Sequence, residues 1–230
     1  RIAGGFHAQQ YAHLFGTSNY LDYSKFNMSA TRSSGTYTQF NQKALQNLKT
    51  LLIKSAEQED WGTYLAGTVL RAFVYEALVD CYGEVPYTEA LDLENFPTPK
   101  YDEGQVVYEG VIAEINEALE KVSASNIVCT NFLFPSSTAD KWIKFANALK
   151  LRMLMRISGV KDVQSEVAAL LAENNFPTTD VSYKGCWKAD EPVLFGRICY
   201  DLGIYANQYR CQPGDHRYDA SKEQRRRCRI

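Results

Sequence analysis

Between residues 17 and 40 the chain reads TSNYLDYSKFNMSATRSSGTYTQF, which sets aromatic rings among amides, hydroxyls and a guanidinium. Tyr37 and Phe40 fall on a helical stripe. Tyr20, Tyr23 and Phe26 follow no such period. An exposed ring covers the C–H face of a sugar, and Asn27 and Arg32 supply donors for its hydroxyls. These five residues, Tyr20, Tyr23, Phe26, Asn27 and Arg32, are the candidate ligand contacts. The competing reading is that the rings pin a long loop to the body.

A second group is acidic: Asp80, Glu84, Glu89, Asp92 and Glu94. Two facing carboxylates are the machinery of glycoside hydrolysis. Asp80 and Glu84, however, flank a helix end, and Glu109, Glu114, Glu117 and Glu120 read as a solvated row. No residue is assigned a catalytic role. Gly-x-Ser-x-Gly, phosphate-binding and dinucleotide-binding signatures are absent. No Cys-x-x-Cys occurs, and His7, His13 and His216 match no metal-binding helix motif, so neither a metal nor a cofactor is expected. The six Cys allow many disulfide pairings in an oxidising compartment; Cys81 and Cys129 read instead as buried thiols.

The elements that would hold these residues are helices. Tyr37, Phe40, Ala44, Leu48, Leu51, Leu52 and Ser55 recur at helical spacing over 37–57. Asp60 is placed to cap a second helix, 61–81, which Gly83 and Pro86 close. That helix is apolar on two sides, with Trp61, Leu65, Phe73 and Ala77 on one and Leu70, Val74, Leu78 and Cys81 on the other. It is expected to lie between neighbours. A long loop with Pro86, Pro97 and Pro99 follows. Asp102 and Gln105 form a capping pattern for a third helix, about 103–123, whose stripe is Tyr108, Val111, Ile112, Ile115, Leu119 and Val122. After a loop at 124–136, Ser137 and Asp140 form a capping box for a fourth helix, 138–158, carrying Trp142, Phe145, Ala146, Leu149 and Met153. A fifth, about 161–174, aligns Val163, Val167, Leu170 and Leu171. One more short helix is expected in HAQQYAHLF. The fold class is therefore all-α: antiparallel helix pairs, 37–57 with 61–81 and 103–123 with 138–158, stacked in a tetratricopeptide-like manner with long loop elaborations.

The 230 residues are 45% hydrophobic and 23% charged with a net charge of -2, which is the composition of a folded globular chain. That balance argues against a nucleic-acid partner held by phosphate neutralisation. No apolar run reaches the ~20 residues of a membrane-spanning helix. Residues 1–180 read as the scaffold. Residues 181–230 carry ten Lys and Arg against six Asp and Glu, and four of the six Cys, with no periodicity.

Three ordered blocks resemble the SusD/RagB family of Bacteroidetes outer-membrane nutrient-binding lipoproteins. The first is Tyr82-Gly83-x-Val85-Pro86-Tyr87-x-Glu89-Ala90-Leu91. The second is Pro99-x-Tyr101-Asp102, leading through Val107-Tyr108 to Glu117-Ala118-Leu119. The third is Asp140-Lys141-Trp142-x-Lys144-Phe145-Ala146-Asn147-Ala148-Leu149-Lys150-Leu151-Arg152, running to Ser158. The resemblance implies a non-catalytic protein, lipid-anchored at the cell surface, that caps a SusC-like TonB-dependent transporter and captures oligosaccharides or other nutrients for import. It implies a truncated form of that fold, lacking the signal peptide and lipid-bearing Cys, and it marks the Cys-rich tail as unlike the family's continuation and so as a non-native end. The other readings of the residues are a helix-pair scaffold for a protein partner and a helical glycoside hydrolase.

Overall fold

The computed structural model describes residues 15–17, 35, 37–131, 133–134, 138–181 and 209–211. The chain divides into two compact units, Thr38–Gly185 and Arg1–Tyr37 with Cys186–Ile230. In the second unit the described element is an antiparallel ribbon. Its strands β1 (Phe15–Thr17) and β2 (Tyr209–Cys211) pair Phe15 with Cys211 and Thr17 with Tyr209. The expected short helix at HAQQYAHLF lies outside the described residues, apart from Phe15 in β1.

The first unit is helical. A π-helical segment, Gln39–Leu45, runs directly into α1 (Gln46–Glu57). Then come α2 (Trp61–Tyr82), α3 (Gly104–Lys121), α4 (Asp140–Ile157) and α5 (Gln164–Glu173). The π segment alters the expected stripe. Leu45, absent from that stripe, is the residue buried there, at 1% exposure, because i→i+5 bonding advances the chain more slowly around the axis than an α-helix does.

Both ends of α2 follow the sequence. The Asp60 carboxylate accepts from the Thr63 N–H at 3.0 Å, and Gly83 closes the helix at a φ of 77°, which favours glycine. Asp102 does not cap α3, and α4 begins two residues later than expected. The residue before α3 is Glu103 and the residue before α4 is Ala139, neither with a side-chain cap. Asp102 is instead drawn into the loop behind it. Asp140 sits inside the first turn and pairs with Lys144 at 2.8 Å; Ser137 lies outside the described residues.

Helix α2 is the centre of the unit and packs against α1, α3 and α4. Its contacts with α3 run in reverse order. Gly104 opposes Val79, Glu114 opposes Arg71, and Lys121 lies over the Trp61 ring, so the two helices are antiparallel. Its contacts with α4 run forward, Glu76 to Arg152 and Asp80 to Arg156, so those two are parallel. This alternation is the stacked helix-pair arrangement. Leu65, Val69, Ala72, Tyr75 and Leu78 of α2 are buried with Val107, Val111, Ile115 and Ala118 of α3 and Trp142, Ala146, Leu149 and Met153 of α4. Each large side chain among them contributes about 1.5–3 kcal/mol by leaving water. Gly62 permits a close approach, since a Cβ there would strike the Ile127 carbonyl oxygen of the loop after α3.

Several expected core positions are surface positions. Phe73 is 42% exposed, with the Arg152 guanidinium over its ring at 5.2 Å, and Leu171 is 51% exposed. Cys81 and Cys129 are exposed free thiols and not buried ones. The Cys129 N–H donates to Thr63 Oγ1 at 3.2 Å, at the opposite end of α2 from Cys81. The rise of an α-helix puts those ends roughly 27 Å apart, beyond any disulfide.

Candidate functional site

The five residues first singled out, Tyr20, Tyr23, Phe26, Asn27 and Arg32, lie outside the described residues. What the helical unit displays is the loop between α2 and α3 and the polar clusters that fix it.

The loop's base is a backbone pair, Val85 with Asp102, bonded in both directions at 3.2 and 3.0 Å. Asp102 is 7% exposed, and its side chain is the main fastening. One carboxylate oxygen accepts from the N–H groups of Tyr87 at 3.0 Å and Thr88 at 2.8 Å, and both oxygens receive the Thr88 hydroxyl. Burial alone pushes this carboxyl up. The Thr88 and Tyr87 donors and the nearby Lys100 outweigh it and hold the group below the ordinary carboxylate range.

Tyr87 is the second fastening. Its ring lies across the bare backbone of Gly110, where a Cβ would overlap it, and meets Tyr75 edge-on with centroids 5.1 Å apart. Its hydroxyl donates to Glu114 at 2.7 Å, and Arg71 pairs with the other Glu114 oxygen at 3.3 Å. Burial first, then the Glu114 bond, raise the Tyr87 phenol far above its ordinary value. Glu114 is therefore turned toward α2, a correction to its place in a solvated row. Further along, Glu89 accepts from the Lys100 N–H at 3.0 Å, and Lys49 of α1 donates to the Leu91 carbonyl at 2.6 Å. Asp92 folds a turn over Asn95.

On the opposite side of α2, Glu76 is buried and accepts from both Arg152 and Arg156 of α4. Asp80, one turn on, pairs with Arg156 and receives the Tyr108 hydroxyl at 2.7 Å. Burial and that bond push the Tyr108 phenol up. A shallow open hollow of about 350 Å³ adjoins this cluster, lined by Val79, Gly104, Tyr108, Ile157 and Val160.

These arrangements fix the loop and join the helices. Of the acidic residues considered for acid–base work, Asp80 is committed to an ion pair, and Glu89 and Asp92 hold the loop's own backbone and side chains. Among the described residues no cluster of His, Cys, Asp or Glu is arranged to hold a metal ion. No described helix is long and apolar enough to cross a membrane. The loop does display large side chains outward: Leu93 at 74%, Phe96 at 40% and Tyr101 at 62% exposure. Sequence reasoning passed over Phe96 and Tyr101. Their signal was an aromatic in a proline-rich loop with no helical period; the missing period is what also singled out Tyr20 and Tyr23.

Stacked antiparallel helix pairs carrying a long loop tied by polar contacts place the chain in the class of tetratricopeptide-like helical scaffolds. Within that class the chain belongs to the SusD-like family described as starch-binding and associating with the outer membrane, whose profile matches residues 5–191. A Bacteroidetes AC2a SusD-like protein of known structure is 28% identical, with a TM-score of 0.61 over 74% of this chain and 33% of that one. A SusD/RagB family protein from Bacteroides thetaiotaomicron has the same fold at 19% identity, with a TM-score of 0.68 over 90% of this chain and 45% of that one. A SusD homolog from Bacteroides vulgatus gives 21% and 0.63 over 89% and 42%. The chain thus spans less than half the length of these solved relatives. No curated protein matches the sequence.

Proposed function

We propose that this chain is the helical scaffold of a non-catalytic binding protein that captures oligosaccharides, or another nutrient, at the outer membrane. The observation that carries this reading is the family match across 5–191, to a family described as starch-binding and outer-membrane-associated. In this reading the protein is held at the cell surface by an N-terminal lipid, and its partner is a SusC-like TonB-dependent transporter. Ligand is held by ring stacking and hydrogen bonds, with no covalent step. Tyr20, Tyr23, Phe26, Asn27 and Arg32 are the proposed contacts.

Calorimetry with a panel of soluble glycans, starch fragments included, tests the reading. Binding to at least one member is expected, with no release of reducing sugar. Failure to bind any glycan would remove the oligosaccharide assignment, and reducing-sugar release would favour a hydrolase. The double substitution Tyr20→Ala, Tyr23→Ala is expected to weaken binding at least tenfold, since stacking contributes about 1 kcal/mol per ring. Unchanged affinity would clear those residues.

A further inference from the structure

Most of the apolar burial of the helical unit lies in the helices, and beyond Val85 and Pro86 the loop between α2 and α3 adds mainly the half-buried Tyr87 ring. From residue 86 to 101, Pro86 is the one fully buried residue, and 93–98 are all exposed. Polar ties hold the segment: Asp102 to Tyr87 and Thr88, Tyr87 to Glu114, Glu89 to the Lys100 N–H, and Lys49 to the Leu91 carbonyl. The closed form also holds Leu91 at a φ of 63°, a conformation that disfavours a branched side chain.

We propose that residues 86–101 form a strap that opens as one unit above the Val85–Asp102 backbone pair, while the five helices stay folded. Segments with few buried apolar contacts open well below the global unfolding free energy. In this strap the Asp102 and Glu114 carboxylates hold Tyr87 and Thr88 at one end, and the Glu89 and Lys49 bonds hold the rest. Opening lifts the Tyr87 ring from Gly110 and uncovers a notch between α2 and α3, walled by Arg71 and Glu114. It also relaxes Leu91.

Native-state hydrogen exchange of the full chain, read by mass spectrometry over a range of low denaturant concentrations, tests this. The amides of Tyr87, Thr88, Phe96 and Lys100 are expected to report one common opening free energy, insensitive to denaturant. The amides of Val111 to Ala118 in α3 are expected to exchange far more slowly and with a steep denaturant dependence. Asp102→Asn turns charge-assisted bonds into neutral ones and is expected to speed strap exchange about tenfold. Tyr87→Phe, which removes the Glu114 bond alone, is expected to do the same to a smaller extent; both should leave α3 unchanged. If the strap amides exchange with the rate and denaturant slope of α3, or if both variants accelerate the two regions equally, the strap is part of the global unit and the proposal fails.

Discussion

Glu76 gives the sharpest test of how the helices are joined. Its carboxylate is 3% exposed, whereas its partners Arg152 and Arg156 are 45% and 48% exposed. The two sides of the pair are therefore unequal. If Arg152→Met and Arg156→Met are combined, the carboxylate stays buried with no cation, a situation that costs about 3–5 kcal/mol. Asp80 also loses Arg156 but is 29% exposed, so water replaces much of that contact. For a unit of this size the melting temperature should fall by roughly 8–16 °C. Glu76→Gln acts from the other side. The half-exposed guanidinium groups turn to water and the amide keeps one acceptor, so the loss is about 1–2 kcal/mol. Replacing all three by Leu or Met removes the buried charge together with its partners and should return stability to within about 1 kcal/mol of the parent. Urea and thermal unfolding followed by helical circular dichroism at pH 7 measure the series. If the double arginine variant lost no more stability than Glu76→Gln, the asymmetry argued from burial would be wrong.

Three further outcomes are expected. Gly62→Ala drives a methyl into the Ile127 carbonyl and should lower stability by about 1–3 kcal/mol in urea unfolding, while Gly159→Ala, with open space around it, should be neutral or slightly stabilising. Tyr87 and Tyr108 keep their protons in the folded chain far above the ordinary phenol value of about 10, so their contribution is intact below that pH and lost as pH rises past it; urea midpoints from pH 8 to 11 should fall, and Tyr87→Phe with Tyr108→Phe should flatten that slope. Cys81 and Cys129 should both be alkylated in the native protein, and peptide mapping of oxidised protein should never find them linked; recovery of that linkage would contradict their placement at opposite ends of α2.

Features decided by neighbours in sequence could be read without the structure. Asp60 and Gly83 bound α2 through contacts within a few residues, and the two-sided apolar pattern of α2 correctly placed it between other helices. Features decided by distant partners could not. Asp102 stands where a cap would stand, but the N–H groups that claim it are at 87 and 88. Glu114 looks like one of a solvated row until Tyr87 and Arg71 reach it. Leu45 was missed because helical counting assumes one pitch throughout, and the pitch changes there. Cys81 continues an apolar stripe into the last turn of α2, where its side chain is exposed. For the site, the sequence offered unexplained aromatics. The structure adds two more, Phe96 and Tyr101, on a loop whose fastening no periodicity could reveal.

The wide turn at Gln39–Leu45 has a consequence for how this gene could change length. A single-residue deletion inside an ordinary α-helix rotates everything beyond it by about 100° and turns the buried face outward. A π segment already holds one residue more than an α-helix would need over the same stretch. Removing an exposed residue there, Gln42 or Lys43, lets the segment tighten to α geometry while α1 keeps its face toward α2. Relatives one residue shorter in this stretch can thus share the same packing, and alignments should place the gap at 39–45 and nowhere else in the helix.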